Sequence, residues 1–316
     1  MYLFVENRSP WESAAIRADL FRRGLWALRV STGNYAWAGI DMALWDICGK
    51  ISNLPVYKLM GGAVRSEVDY FYYLAHGDLA DVRKQCMDGV SKGYTTFYLK
   101  TGVDLAHELE MLSAIRDEIG TDARLRIDSN GAWSLAEAPG FLQQCGEFNI
   151  DFAEQPVREH PMSLMTELRT KTTIPLAANE GLWSEEDANR LILNQVADIY
   201  TFSPYWVGSL GIFKATANTA NIMGSQVCRH THGELGIAAS AFHQVSLTIP
   251  NLVMGNQQTA AHMDGDILVT PMPIVNGPKW GIPDGIGLCF EIDHDLLREA
   301  SNRFVVEGQY LPYGKV

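Results

Sequence analysis

From about residue 68 onward the chain repeats one pattern: an apolar run of strand length, an amphipathic stretch of helix length, then the next apolar run. The strand candidates are "VDYFYYL", "TTFYLK", "RLRIDS", "DFAEQP", "PLAANE", "DIYTFS", "QVCRHT" and "NLVMGN". Between them lie segments such as "DLAHELEMLSAIRDEIG", apolar at helical spacing and closed by Gly120. Strands separated by helices make right-handed parallel crossovers, and eight such units close most simply as a barrel. The competing doubly wound open sheet calls for a Gly-rich turn after its first strand, which this sequence lacks.

The flanks do not share the pattern. Before residue 68, "AWAGIDMALWDICGKISNLPVYKLMGG" has the Ala and Trp content of helices packed on a neighbour. After residue 265 the Pro/Gly-rich "TPMPIVNGPKWGIPDGIGLCFEID" is better suited to wrapping a surface than to continuing the barrel. The division expected is a capping region over 1–66, a barrel over 67–265 and a C-terminal segment over 266–316 that packs back toward the cap. A length of 316 residues accommodates a barrel of about 250 residues with a smaller appendage.

Three strand ends carry acids: Asp128 in "RIDSNG", Glu154 in "FAEQP" and Glu180 in "AANEG", each 26 residues after the one before. One strand–helix unit separates each pair, so consecutive strands deliver all three to the C-terminal rim, where barrel enzymes place their chemistry. Carboxylates held that close repel and raise one another's pKa. A hard divalent cation relieves the repulsion, and oxygen-only donors select Mg²⁺ or Mn²⁺ over zinc. Three surface acids that merely happen to follow strands would not be expected at equal spacing. Upstream, "TFYLKTG" places Tyr98 and Lys100 two positions apart, a phenol and a cation on one face of a strand.

Composition narrows the partners. A net charge of −12 disfavours nucleic acid and anionic membranes, while a bound cation would still admit an anionic substrate. No apolar run approaches the roughly 18 residues of a membrane span, and the start of the chain is no secretory signal. The five cysteines are widely spaced and form no CxxC pair, which points to reduced thiols and a cytoplasmic location.

The acid-bearing segments "RIDSNGAW", "FAEQP" and "NEG", with "GIDMALWDICGK", "LPVYKLMGG" and "CRHTHGELGIAASAFH", resemble the enolase superfamily. Within it they resemble the mandelate racemase and muconate lactonizing enzyme group, over nearly the whole chain. The resemblance implies a (β/α)7β barrel with a capping domain, homo-oligomeric assembly and a small-molecule carboxylate substrate. The shared chemistry it implies is Mg²⁺-assisted removal of the proton next to that carboxylate. Asp128, Glu154 and Glu180 become the metal ligands and Asn130 a neighbour in the site. The physical logic is that the proton is very weakly acidic, and a cation on the carboxylate stabilises the enediolate charge as it develops.

Several positions depart from the group's pattern. Many members carry Lys-x-Lys on the second strand, where this chain has Tyr98 and Lys100. Lys100 matches the second lysine, the base, and the metal together with burial is expected to lower its pKa. Tyr98 is open between hydrogen-bonding the substrate, proton transfer and filling space. His230 matches a histidine that some members pair with an aspartate after the sixth strand, but Ser203 stands there. Lacking that carboxylate, His230 has no evident partner and is expected to act as an acid on a leaving hydroxyl. His232 shares its face, so the working group is one of the two, and Asn130, His232 and Ser203 are expected around the substrate. His243, inside an amphipathic helix, reads as structural. The three-stranded sheet that usually completes the cap is not evident, leaving that region helical and incomplete. A strong base facing a weaker acid suits a dehydratase acting on an aldonic or aldaric acid. A racemase, epimerase or cycloisomerase is the first rival, and a non-catalytic binding or assembly barrel the second.

Overall fold

Helix starts are written locally as a polar residue ahead of an apolar face. Asp78 accepts from the amide of Asp81, Asp104 from those of Ala106 and His107, Ser184 from Asp187, and Ser209 from Ile212. Each satisfies amides that the first turn leaves unpaired. The computed structural model describes residues 2–23, 32–260, 263 and 265–308. Positions 24–31 of the expected capping region and 309–316 of the expected C-terminal segment lie outside the described residues, as do 261, 262 and 264 near the expected end of the barrel.

Ahead of the barrel come helices α1 (Tyr2–Val5), α2 (Ser13–Arg22), α3 (Thr32–Ser52) and α4 (Val56–Leu59). No strand lies among the described residues before Glu67. Ile16 and Leu20 of α2 and Trp37 of α3 form a small core of their own. Then follow β1 (Glu67–Asp69), β2 (Tyr72–Leu74), α5 (Leu79–Ser91), β3 (Thr96–Lys100), α6 (Leu105–Ile119), β4 (Arg124–Asp128) and α7 (Ala138–Cys145). The chain continues through β5 (Ile150–Glu154), α8 (Ser163–Arg169), β6 (Leu176–Ala178), α9 (Glu185–Leu193), β7 (Ile199–Phe202) and α10 (Pro204–Val207). It ends with α11 (Leu210–Ile222), β8 (Gln226–Arg229), α12 (Gly236–Ser246), β9 (Lys279–Gly281) and α13 (His294–Glu307).

Strands β2 to β8 form one parallel sheet in sequence order, which is the curled wall of a TIM-like barrel. Its outer face packs on the helices through the main core, and Phe152, Ala177, Ile199, Cys228 and Val253 fill a second core within. Two strand expectations need correction. "VDYFYYL" divides: β1 leaves the barrel to pair antiparallel with β9, and only β2 joins the sheet. "NLVMGN" is not a strand but an irregular closing segment bonded on both sides. On one side Val227 N donates to Asn251 O at 3.0 Å and Val253 N to Val227 O at 2.9 Å. On the other, Phe71 N donates to Asn256 O at 3.0 Å and Asn256 N to Asp69 O at 2.7 Å.

Two features explain that irregular closure. Gly255 has φ +69°, and a Cβ there would lie 2.5 Å from the Thr96 side chain, so the chain can pass only without one. Arg126, inside the barrel on β4, donates to the carbonyls of Met254 and Gly255 and, at 2.8 Å, to Asp151 Oδ2. A side chain thereby holds what ladder bonds hold elsewhere. The C-terminal segment meets the turn between α3 and α4, where Gly287 N donates to Leu54 O and Val56 N to Gly287 O, at 3.0 and 2.9 Å.

Candidate functional site

A parallel barrel presents the C-terminal ends of all its strands at one mouth. In register, Lys100 lies opposite Asp128, and Asp128 opposite Glu154. Glu180 follows the end of β6 by two residues, in a loop tied to the one after β5. Gln155 Oε1 makes that tie by accepting from the amides of Asn179 and Glu180 at 2.9 and 3.1 Å.

Five of the residues singled out in the sequence form one hydrogen-bonded chain. The Tyr98 hydroxyl and the Lys100 ammonium both donate to Asp128 Oδ2. Lys100 also donates to Asn130 Oδ1 at 2.7 Å, and Asn130 Nδ2 donates to Glu180 Oε1 at 2.8 Å. Asn130 has φ +45°, a left-handed conformation that Asn tolerates, and its amide donates to Asp128 Oδ1 at 2.8 Å. Glu154 lies beside them, 3 % exposed, with Thr201 Oγ1 3.5 Å from its Oε2.

Burial and crowding set the charges. Burial, then Asp128 and Glu180, hold the Glu154 carboxyl well above the ordinary range, although Lys100 pulls it down. Burial and Asp128 raise Glu180. Burial, Asp128 and Glu154 push the Tyr98 phenol far up, so it is a neutral donor. For Lys100 the balance in the ion-free site runs upward. Burial pulls its pKa down, but the charges of Asp128 and Glu154 outweigh burial and raise it. Without a cation on the acids, Lys100 is itself their counter-charge.

Strands β4 to β6, which carry the acids, separate Lys100 on β3 from a second group on β7 and β8. Here the expectation that His230 lacks a partner is corrected, because its Nδ1 lies 3.2 Å from Ser203 Oγ. Trp206 of α10 stacks on the His230 ring at 4.3 Å, and His232 meets it edge-on at 4.4 Å. Burial, then His232 and Lys100, hold His230 well below the ordinary histidine value, so it is neutral. His232, lowered by burial and Lys100, is braced where its amide donates to Glu234 Oε1 at 3.1 Å. No hydrogen bond among the described residues joins the two groups. His243 lies in the core, its ring nitrogens 3.1 Å from the Tyr70 hydroxyl and 2.8 Å from Gly281 O.

The donor set suits a hard cation: three carboxylates on consecutive strands, with Glu180 Oε2 buried and lacking any hydrogen-bond partner. As they stand, no three His, Cys, Asp or Glu side chains among the described residues are arranged to hold an ion. Lys100 and Tyr98 both donate to Asp128 Oδ2. The sequence reading missed Gln155, Thr201 and Trp206. The first directly follows Glu154, and the second precedes Ser203 by two positions on the same strand face. Trp206 carried no signal of its own. A cavity of about 960 Å³ opens at the opposite mouth beside Arg124, Arg169 and Asp198. Barrel chemistry sits at the other end, so its size does not make it the site.

Comparison with known proteins bears on this geometry. The enolase C-terminal domain-like family matches residues 81–296, and the mandelate racemase / muconate lactonizing enzyme N-terminal domain matches residues 15–61. The chain belongs to the mandelate racemase and muconate lactonizing enzyme group of the enolase superfamily. Among its superfamily relatives is an N-succinyl-L-Arg/Lys racemase of Bacillus cereus, 32% identical over 84% of this chain and 71% of that protein. An arabinonate dehydratase of Saccharolobus solfataricus is 26% identical over 83% of this chain and 71% of its own length. The solved muconate lactonizing enzyme from Pseudomonas putida superposes with a TM-score of 0.84 at 26% identity, covering 92% of this chain and 80% of that one. Enzymes of this superfamily thus include racemases, dehydratases and cycloisomerases similar to this chain. No helix among the described residues is long and apolar enough to cross a membrane.

Proposed function

We propose that the protein removes the proton next to a carboxylate, with Lys100 as the base, and completes the reaction as dehydration of a hydroxylated sugar acid. The observation that carries this reading is an asymmetry across the mouth. A lysine stands on one side of the acids, and a neutral histidine bonded to a serine stands on the other. Racemisation calls for a competent base on each face, whereas elimination needs one.

Asp128, Glu154 and Glu180 would hold Mg²⁺, with Mn²⁺ as an alternative. When bound, the ion supplies positive charge that offsets the acids and favours negative charge on the substrate carboxylate. Asn130, already bonded to both Lys100 and Glu180, keeps the base aligned with the acids. Tyr98, a neutral donor to Asp128, orients that carboxylate rather than exchanging protons. Lys100 as free amine takes the α proton. The ammonium so formed gives that proton to the β-hydroxyl, which leaves as water, and the amine is restored. His230, being neutral, contributes a hydrogen bond at the leaving oxygen rather than a full proton, with His232 beside it. The resulting enol tautomerises to a 2-keto acid.

A racemase or epimerase is the second reading, supported by the 32% identical relative and by His232 lying 4.4 Å from His230. Incubating aldonic acids, aldaric acids and N-succinyl amino acids with the protein and Mg²⁺ in D₂O separates the two. Keto-acid product supports dehydration, while α-deuterium in recovered substrate without loss of water overturns it in favour of racemisation. No product and no Mg²⁺ binding would instead indicate a barrel kept for binding or assembly.

A further inference from the structure

We infer that Ser203 is a positioning residue: by donating its hydroxyl proton to Nδ1 of His230, it fixes the imidazole as the Nε2–H tautomer and denies the site a second base. The inference rests on the proposed proton abstraction for its functional meaning, but its structural content is independent of that reading.

Ser203 is 0% exposed, and its Oγ makes one hydrogen bond, to His230 Nδ1. Although Ser203 precedes α10, its side chain caps no amide of that helix; its carbonyl instead accepts from Trp206 N and Val207 N. A buried hydroxyl proton without an acceptor is costly, so the proton belongs on the acceptor with which Ser203 Oγ makes its hydrogen bond. The Tyr205 hydroxyl also lies close enough to Ser203 to act on it, but it is buried and makes no well-formed hydrogen bond, so His230 Nδ1 is the better-placed acceptor. If the ring donated to the serine, the serine proton would be left with only the poorly placed Tyr205 hydroxyl to accept it. A neutral imidazole that accepts at Nδ1 carries its proton at Nε2.

The ring cannot easily turn to reverse this assignment. Trp206 stacks on it at 28° and His232 closes its edge at 79°, while His230 N donates to Phe202 O at 2.9 Å. Nε2 makes no hydrogen bond among the described residues. It therefore offers substrate an N–H and no lone pair. A carboxylate in place of Ser203 would act oppositely, since it can only accept. It would draw the proton to Nδ1 and leave Nε2 as a basic lone pair. The choice of serine thus confines proton abstraction to the lysine side.

Long-range ¹H–¹⁵N correlation spectra of histidine-labelled protein read the tautomer directly, with His230→Gln giving the assignment. The wild type is expected to favour Nε2–H by about tenfold or more. Ser203→Thr should preserve that preference, Ser203→Ala should lose it, and Ser203→Asp should invert it. A wild-type ring protonated at Nδ1, or an unchanged tautomer in Ser203→Ala, overturns the inference. The functional half is read by α-deuteration of the acid library. Ser203→Asp should exchange both configurations where the wild type exchanges one, and exchange of both by the wild type overturns it. A wild type that exchanges no α proton refutes the proposed function while the tautomer result stands.

Discussion

Replacing Lys100 by Met keeps the aliphatic stem and removes the charge, and the structure sets two distinct consequences. In the ion-free protein the ammonium pairs with Asp128, whose side chain is 1% exposed, while the lysine side chain is 34% exposed. Removing one partner of a fully buried pair costs about 3–5 kcal/mol. Solvent around the lysine reduces that, and Tyr98 and the Asn130 amide continue to donate to Asp128. A loss of about 2 kcal/mol is therefore expected, or about 4 °C in Tm for a chain of this size. With saturating Mg²⁺ the loss should shrink to less than half, because a cation on the acids replaces the missing charge. Independently, α-proton exchange should fall by about 10³-fold or more, the scale of a general base. Thermal melts with and without Mg²⁺, and deuterium uptake by NMR, measure the two effects. An equal fall in Tm under both conditions would refute Lys100 as the acids' counter-charge. Exchange within tenfold of wild type would refute it as the base.

Three other substitutions probe separate parts of the argument. Glu154→Gln should weaken Mg²⁺ by about tenfold or more in calorimetry, since a hard cation loses a charged oxygen, and unchanged affinity would count against Glu154 as a ligand. Arg126→Met should lower stability by about 3–5 kcal/mol in urea, because it strands the carbonyls of Met254 and Gly255 and half-frees Asp151; a shift below about 1 kcal/mol would mean that the guanidinium does not hold the barrel closed. Asp41 of α3 is raised to about 7 by burial, despite the Leu210 amide, Trp45 and Arg17 acting to lower it. A folded pKa above the unfolded value makes stability full below about pH 4 and lost as pH rises through about 7, by up to about 4 kcal/mol. Asp41→Asn, which keeps an acceptor for Leu210 N, should flatten that part of the stability–pH curve, and an unchanged slope would count against it.

The sequence made the barrel legible because period and punctuation act locally, whereas closure does not. Seven of the eight strand candidates contain strands that belong to the sheet, each placed by an apolar run between helices. The eighth failed at Gly255 and Arg126: the glycine is required by Thr96, more than 150 residues earlier, and the arginine comes from β4. Likewise "VDYFYYL" reads as one strand until β9, some 210 residues later, claims its first half. The acids were legible from their spacing because each unit of the barrel repeats the same length. What joins them was not. The Lys100–Asp128 pair crosses between strands, and the Ser203–His230 contact joins the ends of two further strands, 27 residues apart in sequence.

The charge pattern of the site leads to a last prediction. Lys100, Glu154 and Glu180 all hold protons more tightly in the ion-free site than they would in water, each because acids crowd a buried mouth. A cation on the same acids acts on all three in the same direction, favouring the deprotonated form. Binding of Mg²⁺ must then expel protons, and by linkage its affinity must rise with pH. On the proposed reading, metal loading and generation of the free amine would then be one event. Calorimetric titration of Mg²⁺ in two buffers of different ionisation enthalpy measures the release. The expected result is a net release of about one proton near neutral pH, diminished in both Lys100→Met and Glu154→Gln. Binding without proton release would show that the acids are already ionised and Lys100 already free. The pairing between Lys100 and Asp128 would then be incidental to the chemistry.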